Sequence, residues 1–222
     1  MTQTDATPRP KTVLVTGASR GLGRAIAEHL GAEGWHVIAV ARTTGGLEEL
    51  DDAIRAAGGQ PATLVPVDLT DPEACAYVAR HLADRFGRLD LWVHTAIHAA
   101  PMAPTGHLDP KDMAKSVATN LTATATLIPL IEPMLRAANG TAVFFDDPRG
   151  GQKFFGSYGA TKAAQIALAQ SWQAEAKKIG PRVVIASPRP MATATRARFF
   201  PGEDRAPLAE IRDEAKRVLK AL

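Results

Sequence analysis

Two residues in the second half of the chain have side chains that could exchange a proton with a substrate. Tyr158 and Lys162 lie four positions apart in the segment SYGATKAA, and residues with this spacing share one face of a helix. A phenol titrates at about 10, but an ammonium group beside it stabilises the phenolate and lowers the pKa of the phenol. The pair could then serve as acid or base toward a carbonyl or an alcohol. Such a pair also occurs in ordinary packed helices, so it is informative only beside a second feature.

A glycine-rich turn near the N-terminus is that second feature. The segment TGASRGLG follows a short β-branched run and opens a stretch with apolar residues at helical spacing, which predicts a strand, a turn and a helix. Glycines let the backbone approach a pyrophosphate, and the amide groups at the helix N-terminus bind it. Tight turns also use glycine for steric reasons alone. The turn supports a nucleotide site because a parallel sheet would place it at the edge where such folds bind nucleotides.

Two arginines near this turn favour NADPH over NADH. The second predicted strand ends VIAVART, without the acidic residue that would accept a hydrogen bond from a ribose 2′-hydroxyl. Arg20 and Arg42 could instead pair with a 2′-phosphate. The alternative interpretation is that both arginines are solvated surface residues.

Strand and helix patterns alternate along the whole chain. The predicted strands are continuous apolar runs, as expected where helices cover both faces of a sheet; they are KTVLVT, WHVIAVA, ATLVPVD, RLDLWVHTA, TAVFF and PRVVIAS. The alternation predicts an α/β fold of the Rossmann type, a doubly wound parallel sheet of six strands in the order 3-2-1-4-5-6 within three layers α/β/α. We expect residues 1–10 to form a disordered N-terminal arm and residues 11–222 a single NAD(P)-binding domain. Pro129 and Pro133 predict a kink or a stop in the helix before the fifth strand.

The composition is that of one soluble domain. The chain has 222 residues, of which 45% are hydrophobic, enough for a single core. It has no apolar run long enough to cross a membrane and no signal-peptide pattern, so we expect a cytoplasmic protein without a membrane partner. Cys75 is the only cysteine and is expected to be a buried thiol. From Arg189 onward eight basic residues are interleaved with five acidic ones, which gives the net charge of +3 and predicts no nucleic-acid partner.

Together these motifs are similar to those of the short-chain dehydrogenase/reductase family. The resemblance rests on TGASRGLG, on Asp68 in VDLT, on Asn120 in the long helix after the fourth strand and on SYGATKAA, and it covers roughly residues 12 to 188. It implies that Tyr158 donates and accepts the proton and that Lys162 holds the nicotinamide ribose and lowers the tyrosine pKa. It also implies that Asn120 positions a water molecule in the proton relay.

The resemblance further implies how the cofactor is bound. The expected cofactor is NADP, with NAD the less favoured one; Asp68 and Leu69 would meet its adenine and the backbone after Pro188 its nicotinamide. No metal is expected, because His94 and His98 lie across a strand end and not on one face of a helix. The residues expected to bind the cofactor are Gly17, Ser19, Arg20, Gly21, Leu22, Gly23, Arg42, Asp68, Leu69, Thr95, Ala96, Tyr158, Lys162, Pro188, Met191 and Thr193.

The serine that this family carries at the end of the fifth strand is absent. Its hydroxyl donates to the reacting oxygen, and here the segment reads FFDDP. Asp146 is the best match and our candidate catalytic residue, and Asp147 is the next. An ionised carboxylate would oppose the charge that develops on the carbonyl and would raise the pKa of Tyr158. A protonated carboxyl could donate as serine does; alternatively both aspartates face solvent or cap the following turn, which the turn preferences of aspartate favour.

Two bulky residues, Ile97 and Arg189, also stand where the family has glycines and predict crowding of the site. They and the missing serine support an inactive or weak NADPH-binding relative that acts as a sensor or scaffold. The intact Tyr158, Lys162 and Asn120 favour the leading interpretation, an NADP-dependent oxidoreductase that interconverts a carbonyl and an alcohol. The expected partners are that small molecule and further copies of the chain, in a homodimer or homotetramer.

Overall fold

The computed structural model describes residues 9–222 and contains a six-stranded parallel sheet in the order β3-β2-β1-β4-β5-β6. This confirms the predicted strand order and the Rossmann-type fold. The predicted N-terminal arm lies outside the described residues except for its last two, Arg9 and Pro10. The strands are β1 (Thr12–Thr16), β2 (His36–Ala41), β3 (Thr63–Pro66), β4 (Leu91–His94), β5 (Thr141–Phe145) and β6 (Arg182–Ala186).

Helices cover both faces of the sheet, as the continuous apolar strands require. The helices are α1 (Gly21–Ala32), α2 (Thr44–Ala56), α3 (Pro72–Phe86), α4 (Pro110–Ser116), α5 (Ala123–Ala138), α6 (Gly156–Ala176), α7 (Ala194–Phe199) and α8 (Ile211–Lys220). α1, α2 and α8 pack on one face, and α3, α5 and α6 pack on the other. None of the helices within residues 9–222 is both long enough and apolar enough to cross a membrane.

The strand residues alternate between the two cores that these layers enclose. In β1, Val13 and Val15 face α1, α2 and α8, whereas Leu14 faces α3, α5 and α6. Trp92 of β4 fills the second core together with Phe144 of β5, and their ring centroids are 5.4 Å apart. Because the sheet is packed on both sides in this way, the ends of its strands are fixed in space, and these ends carry the predicted site residues.

Local sequence signals set the ends of α3. The side chain of Asp71 accepts hydrogen bonds from the backbone nitrogens of Glu73 and Ala74, each at 3.0 Å, and so satisfies two amide groups that have no partner inside the helix. Pro72 fills the first helical position, where its missing N–H costs nothing. The helix ends at Gly87, whose φ of 69° is the left-handed conformation that glycine adopts without strain.

The helix before the fifth strand runs through its two prolines. α5 contains Pro129 and Pro133 and continues to Ala138, so of the two predicted outcomes, a kink or a stop, the stop does not occur. Both prolines are exposed, and the carbonyl groups that lose an amide partner on that side can bond to water. The irregular part of this region lies earlier, in the π-helical segment Val117–Thr122, a type of distortion that is frequent at functional sites.

Candidate active site

A cleft of about 630 Å³ opens at the carboxyl ends of the central strands. Doubly wound sheets bind nucleotides at this edge. All the residues that the sequence predicted for cofactor binding line the cleft, and so does Asp146. Tyr158 and Lys162 thus share one cavity with the glycine-rich turn, whereas Asn120 is not among the lining residues.

The glycine-rich turn between β1 and α1 packs so closely against the segment after β4 that two of its glycines have no room for a side chain. Gly17 has a φ of +86°, and a Cβ atom there would lie 2.7 Å from the backbone nitrogen of Ala96. A Cβ atom on Gly23 would overlap Oγ1 of Thr95, a hydroxyl that donates to the Thr16 carbonyl at 2.9 Å. Glycine at both positions lets the turn approach that segment, and the start of α1 lines the cleft, where its free amide groups and the helix dipole attract an anion. The turn fits the pyrophosphate of a dinucleotide.

Two arginines lie in the cleft wall next to this turn. Arg20 immediately precedes α1 and Arg42 immediately follows β2, and both are exposed, so that an added phosphate could reach them. Across from Arg42, Oδ1 of Asp68 accepts hydrogen bonds from the backbone nitrogen and Oγ1 of Thr70, at 3.0 and 2.9 Å. Burial opposes ionisation of Asp68, but these two bonds and the charge of Arg42 lower its pKa. This end of the cleft combines positive charge with one fixed carboxylate.

Tyr158 lies in the first turn of α6, and only 3% of it is exposed. Its hydroxyl donates to Oδ2 of Asp147 at 3.0 Å. Burial raises the pKa of Tyr158, and the carboxylate of Asp147 raises it further, because both favour the neutral phenol. The sequence led us to expect that Lys162 lowers the pKa of Tyr158, whereas in the structure this pKa is raised. The carboxylate of Asp147 raises it, which is the effect that we expected of an ionised aspartate at this site.

The carboxylate beside Tyr158 belongs to Asp147 and not to our first candidate, Asp146. The backbone nitrogen of Asp146 donates to the carbonyl of Ala186 at 2.8 Å, which extends the pairing of β5 with β6 by one residue and leaves the following residue to turn toward the tyrosine. Oδ1 of Asp147 lies 3.0 Å from Nε of Arg149. Asp147 thus pairs within its turn and also accepts from Tyr158, whereas the serine of the family is a donor at this place.

Lys162 is buried in the cleft wall, with 4% of the residue exposed. Its Nζ donates to Oε1 of Gln165 at 2.6 Å, one turn further along α6. Burial lowers the pKa of Lys162 to about 8, although the carboxylates of Asp147 and Asp146 act in the opposite direction. Sequence analysis missed Gln165, because a single polar residue three positions after the lysine belongs to no motif.

Asn120 joins two segments that flank the cleft. It is fully buried in the π-helical segment, and its Nδ2 donates to the carbonyl of His98 and to Oγ1 of Thr161, each at 3.0 Å. Its Oδ1 accepts from the backbone nitrogen of His98 at 2.6 Å. Both amide hydrogens and the oxygen are engaged, so this side chain ties the loop after β4 to α6. The positioning of a water molecule by Asn120 stays a prediction.

The two bulky residues at the family's glycine positions leave the cleft open. Ile97 packs against the aromatic residues around Tyr158. Arg189 turns toward α8, where its Nε lies 2.7 Å from Oε2 of Glu214. Both residues line the cleft, which still has a volume of about 630 Å³, so the predicted crowding does not close it.

An aromatic cluster covers the ring of Tyr158. It consists of Phe155, Tyr158 and Phe199, with Phe200 packed against it. The ring centroid of Phe199 lies 4.8 Å from that of Tyr158 and 5.0 Å from that of Phe155. Phe199 is the last residue of α7, in the segment between β6 and α8. The part of the cleft wall beside Tyr158 is accordingly aromatic.

The two histidines near the end of β4 bind different partners. His94 is enclosed between two threonine hydroxyls in the core, whereas Nε2 of His98 lies 3.9 Å from Oδ1 of Asp112. Within residues 9–222, no three His, Cys, Asp or Glu side chains are close enough together to hold a metal ion.

Comparisons with known sequences agree with this geometry. A family profile described as short chain dehydrogenase matches residues 11–204. An uncharacterized oxidoreductase of Mycobacterium tuberculosis is 32% identical over 191 residues, which make up 84% of this chain and 71% of that protein. The chain spans only 58% and 60% of the length of two further relatives, a reductase and a dehydrogenase.

Solved structures share the whole architecture. A short chain dehydrogenase from Salmonella enterica serovar Typhi has a TM-score of 0.89 at 28% identity, covering 96% of this chain and 92% of that one. A short chain dehydrogenase from Shigella flexneri, complexed with NADP, has a TM-score of 0.85 at 27% identity, covering 91% and 87%. The similarity therefore includes the sheet and the helices on both of its faces.

Proposed function

Since the chain belongs to the short-chain dehydrogenase family, we propose that it is an NADP-dependent oxidoreductase that interconverts a carbonyl and an alcohol. The observation that carries the proposal is the presence of Tyr158 and Lys162 in one cleft with the glycine-rich turn. A bound nicotinamide cofactor would supply or accept the hydride. The side chains of the protein would supply or accept the proton.

The cofactor would lie along the cleft with its phosphates on the glycine-rich turn. The position of this turn in the cleft wall, at the start of α1, supports this placement, and the exposed guanidinium groups of Arg20 and Arg42 would pair with a 2′-phosphate. The similar protein from Shigella flexneri is complexed with NADP. At the other end of the cleft, the ammonium of Lys162 would donate to the ribose hydroxyls.

Tyr158 would donate its proton to the carbonyl oxygen in the direction of reduction. Its raised pKa keeps the hydroxyl protonated, but the proton must first leave its hydrogen bond to Asp147. Arg149 offsets part of the carboxylate charge and lowers the pKa of Tyr158. Asp147 therefore makes Tyr158 a weaker acid, and Arg149 limits this loss of acidity.

The substrate that fits this site is a small molecule with an apolar body. The aromatic cluster forms one wall beside Tyr158, and the buried surface of a ligand there would face aromatic rings and the side chain of Ile97. Such pockets bind ligands mainly through apolar contact and orient them by a few polar groups. We propose an apolar aldehyde, ketone or alcohol as the substrate class.

The hydrogen bond from Tyr158 to Asp147 also favours a second candidate function. A phenol that donates to a carboxylate is held away from a substrate, so the chain could bind NADPH without turnover and act as a sensor or scaffold. The two functions differ in one observable, which is consumption of bound NADPH by a carbonyl compound.

The test is a fluorescence titration with NADPH and NADH, followed by a panel of apolar aldehydes and ketones. We expect NADPH to bind more tightly than NADH, and we expect turnover that disappears in Tyr158→Phe. Arg42→Ala should weaken NADPH about tenfold, the value of one charge-assisted hydrogen bond, and should change NADH little. The matched control is Arg80→Ala, an exposed arginine on α3. Binding without turnover would favour the sensor, and failure to bind either cofactor would refute the proposal.

A further inference from the structure

A buried chain of hydrogen bonds runs from Lys162 into the core. Behind the bond from Lys162 to Gln165, Nε2 of Gln165 donates to Oγ1 of Thr124 at 2.9 Å. Nε2 of His94 lies 3.0 Å from the same hydroxyl, and Nδ1 of His94 lies 2.7 Å from Oγ1 of Thr16. Each of these five residues is at most 4% exposed. The chain links α6, α5, β4 and β1 behind the cleft wall.

The protons along this chain have one consistent arrangement. Oγ1 of Thr124 lies 3.0 Å from the carbonyl of Asn120, and a carbonyl can only accept, so the single hydroxyl hydrogen goes there. Thr124 must then accept from Gln165 and from His94. His94 carries its hydrogen on Nε2. Its Nδ1 accepts from Oγ1 of Thr16, which lies much closer to this nitrogen, at 2.7 Å, than to the carbonyl of Val93, at 3.3 Å. Burial, and next the charge of Lys162, lowers the pKa of His94 to about 3, which agrees with a neutral ring.

This arrangement fixes the amide of Gln165 in one orientation. If the amide were flipped, its NH₂ group would face the ammonium of Lys162, donor against donor, and its oxygen would face Thr124, whose only hydrogen is already used. The oxygen of Gln165 is therefore held toward Lys162 by partners that are themselves satisfied. A buried polar network in which every group is paired is rigid.

The groups that face Lys162 show why a neutral acceptor matters. The carboxylates of Asp146 and Asp147 act on its charge from the loop after β5. The neutral ring of His94 lies behind it, and Tyr158 lies one turn before it on α6. An ammonium has three donors, so the bond to Gln165 leaves two for groups in the cleft. A carboxylate in place of Gln165 would bind the ammonium more strongly and compete with the cofactor.

We propose that Gln165 is a positioning residue, which holds the ammonium of Lys162 charged and aimed at the cleft through the chain formed by Thr124, His94 and Thr16. The inference rests on the proposed function, because the ammonium is positioned for the ribose of a nicotinamide cofactor. A preorganised donor loses less freedom on binding than a mobile one. Gln165 itself need not touch the cofactor.

Two substitutions at Gln165 separate positioning from simple packing. Gln165→Met keeps the volume and removes both polar atoms, while Thr124 keeps its bonds to Asn120 and His94. Gln165→Glu keeps the acceptor and adds a charge. The matched control is Gln173→Leu, which removes a glutamine hydrogen bond to the Val183 carbonyl elsewhere on α6. Thermal unfolding of each variant establishes that it is folded.

The first readout is the titration of Lys162 in the cofactor-free protein, by competitive trace labelling of amines with acetic anhydride and mass spectrometry. An acceptor favours the charged ammonium, so the midpoint for Lys162 should fall by about one pH unit in Gln165→Met and rise in Gln165→Glu. Gln173→Leu should leave it unchanged. The second readout is NADPH affinity at neutral pH, which should fall about tenfold in both Gln165 variants and stay constant in the control.

These results have distinct meanings. If Gln165→Met folds with an unchanged midpoint, or with a shifted midpoint and unaltered NADPH affinity, Gln165 only fills the core and the inference is overturned. If the unaltered protein binds neither NADPH nor NADH, the proposed function fails and the inference fails with it. Because this failure is seen in the unaltered protein, it is distinguished from an effect of the Gln165 substitutions. A shifted midpoint together with weakened binding supports the positioning role.

Discussion

At the scale of single residues, Asp147 decides the electrostatics around Tyr158. A serine at that place would donate to a developing oxyanion, whereas the carboxylate of Asp147 accepts the tyrosine proton and raises the pKa of Tyr158. A tyrosine with a raised pKa releases its proton less readily to a carbonyl, and at neutral pH almost none of it is ionised and able to act as a base toward an alcohol. We therefore expect Asp147 to slow the reaction in both directions.

The ionisation of Tyr158 can be measured directly, because the chain has only two tyrosines. In a Tyr77→Phe background, which alters an exposed residue, the phenolate absorbance reports Tyr158 alone. We expect ionisation only at strongly alkaline pH. Adding Asp147→Ser should lower the midpoint by about one unit or more, because the change removes a carboxylate within hydrogen-bond distance.

The control for this titration is Asp146→Ser in the same background. Asp146 lines the cleft and contributes less to the raised pKa of Tyr158 than Asp147 does, so its removal should shift the midpoint by clearly less. Equal shifts in the two variants would contradict the assignment of the contact to Asp147. The same Asp147→Ser variant should raise the rate of alcohol oxidation, since more of the tyrosine is then available as a base.

Much of this site could be predicted from the sequence, because its motifs are local. The tyrosine and lysine share a helix face through their spacing, and the glycine-rich turn lies at the carboxyl edge because it follows the first strand. Which aspartate reaches Tyr158 depends on where β5 stops pairing with β6, and that is set by contacts distant in sequence. The hydrogen bond from Gln165 to Thr124 joins two helices, so no local sequence motif predicts it either.

At the scale of elements, α8 holds the loop after β6 in place. The carboxylate of Glu214 is completely buried and accepts from the backbone nitrogen and Nε of Arg189, at 2.8 and 2.7 Å. It also accepts from Arg217, whose Nη2 donates to the carbonyl of Ser187 at 3.0 Å. Arg189, which stands where the family has a glycine, thus anchors the loop that lines the end of the cleft predicted to hold the nicotinamide.

Removing this anchor should destabilise the protein in a pH-dependent way. The hydrogen bond from Arg217 lowers the pKa of Glu214 to about 2, outweighing burial, and Arg189 adds to the effect. A lowered pKa stabilises the fold above the unfolded value of about 4.3, and this contribution disappears as the pH falls toward 2. Glu214→Gln should therefore cost about 3 kcal/mol near pH 7 and much less near pH 2 to 3.

Urea unfolding at the two pH values measures this difference. The control is Glu210→Gln, an exposed glutamate immediately before α8, which should change the free energy of unfolding by less than about 0.5 kcal/mol. If Glu214→Gln lowered the free energy of unfolding equally at both pH values, the shape of the side chain, and not its charge, would hold the loop.

The close packing of the glycine-rich turn can be tested by comparing Gly23 with Gly45, a glycine in α2. Gly23→Ala should abolish NADPH binding and lower the melting temperature, because the added Cβ atom would overlap Oγ1 of Thr95 and lie 2.6 Å from the Gly17 carbonyl oxygen. Gly45→Ala, in α2 with nothing within 4 Å of the added atom, should leave NADPH binding intact and stabilise the protein by about 0.5 kcal/mol. Cofactor titration and thermal unfolding check both, and equal effects would contradict the close approach at Gly23.

At the scale of the whole molecule, the sequence predicted the sheet order because each strand signal was followed by a helix signal. Continuous apolar strands require helices on both faces of the sheet. Because the connections between parallel strands are short and right-handed, few strand orders remain possible. The prediction of a kink or a stop at Pro129 and Pro133 left open whether α5 continues, because a local rule for proline takes no account of which side of the helix faces water. The exposed positions of both prolines are a property of the assembled layers.

The outer face of α6 leads to a prediction about assembly. Alanines at four positions of this helix are exposed at roughly helical spacing, and such small side chains let a second helix approach closely; they are Ala160, Ala163, Ala167 and Ala174. We expect a two-fold dimer in which α6 packs against its copy, so sedimentation equilibrium should give at least twice the chain mass. Ala167→Glu should produce monomers, because a two-fold axis brings the two added charges together. Ala56→Glu, an exposed alanine on α2 in the opposite layer, should not. A monomeric wild-type protein would refute the dimer, and dissociation by both variants would refute its placement on α6.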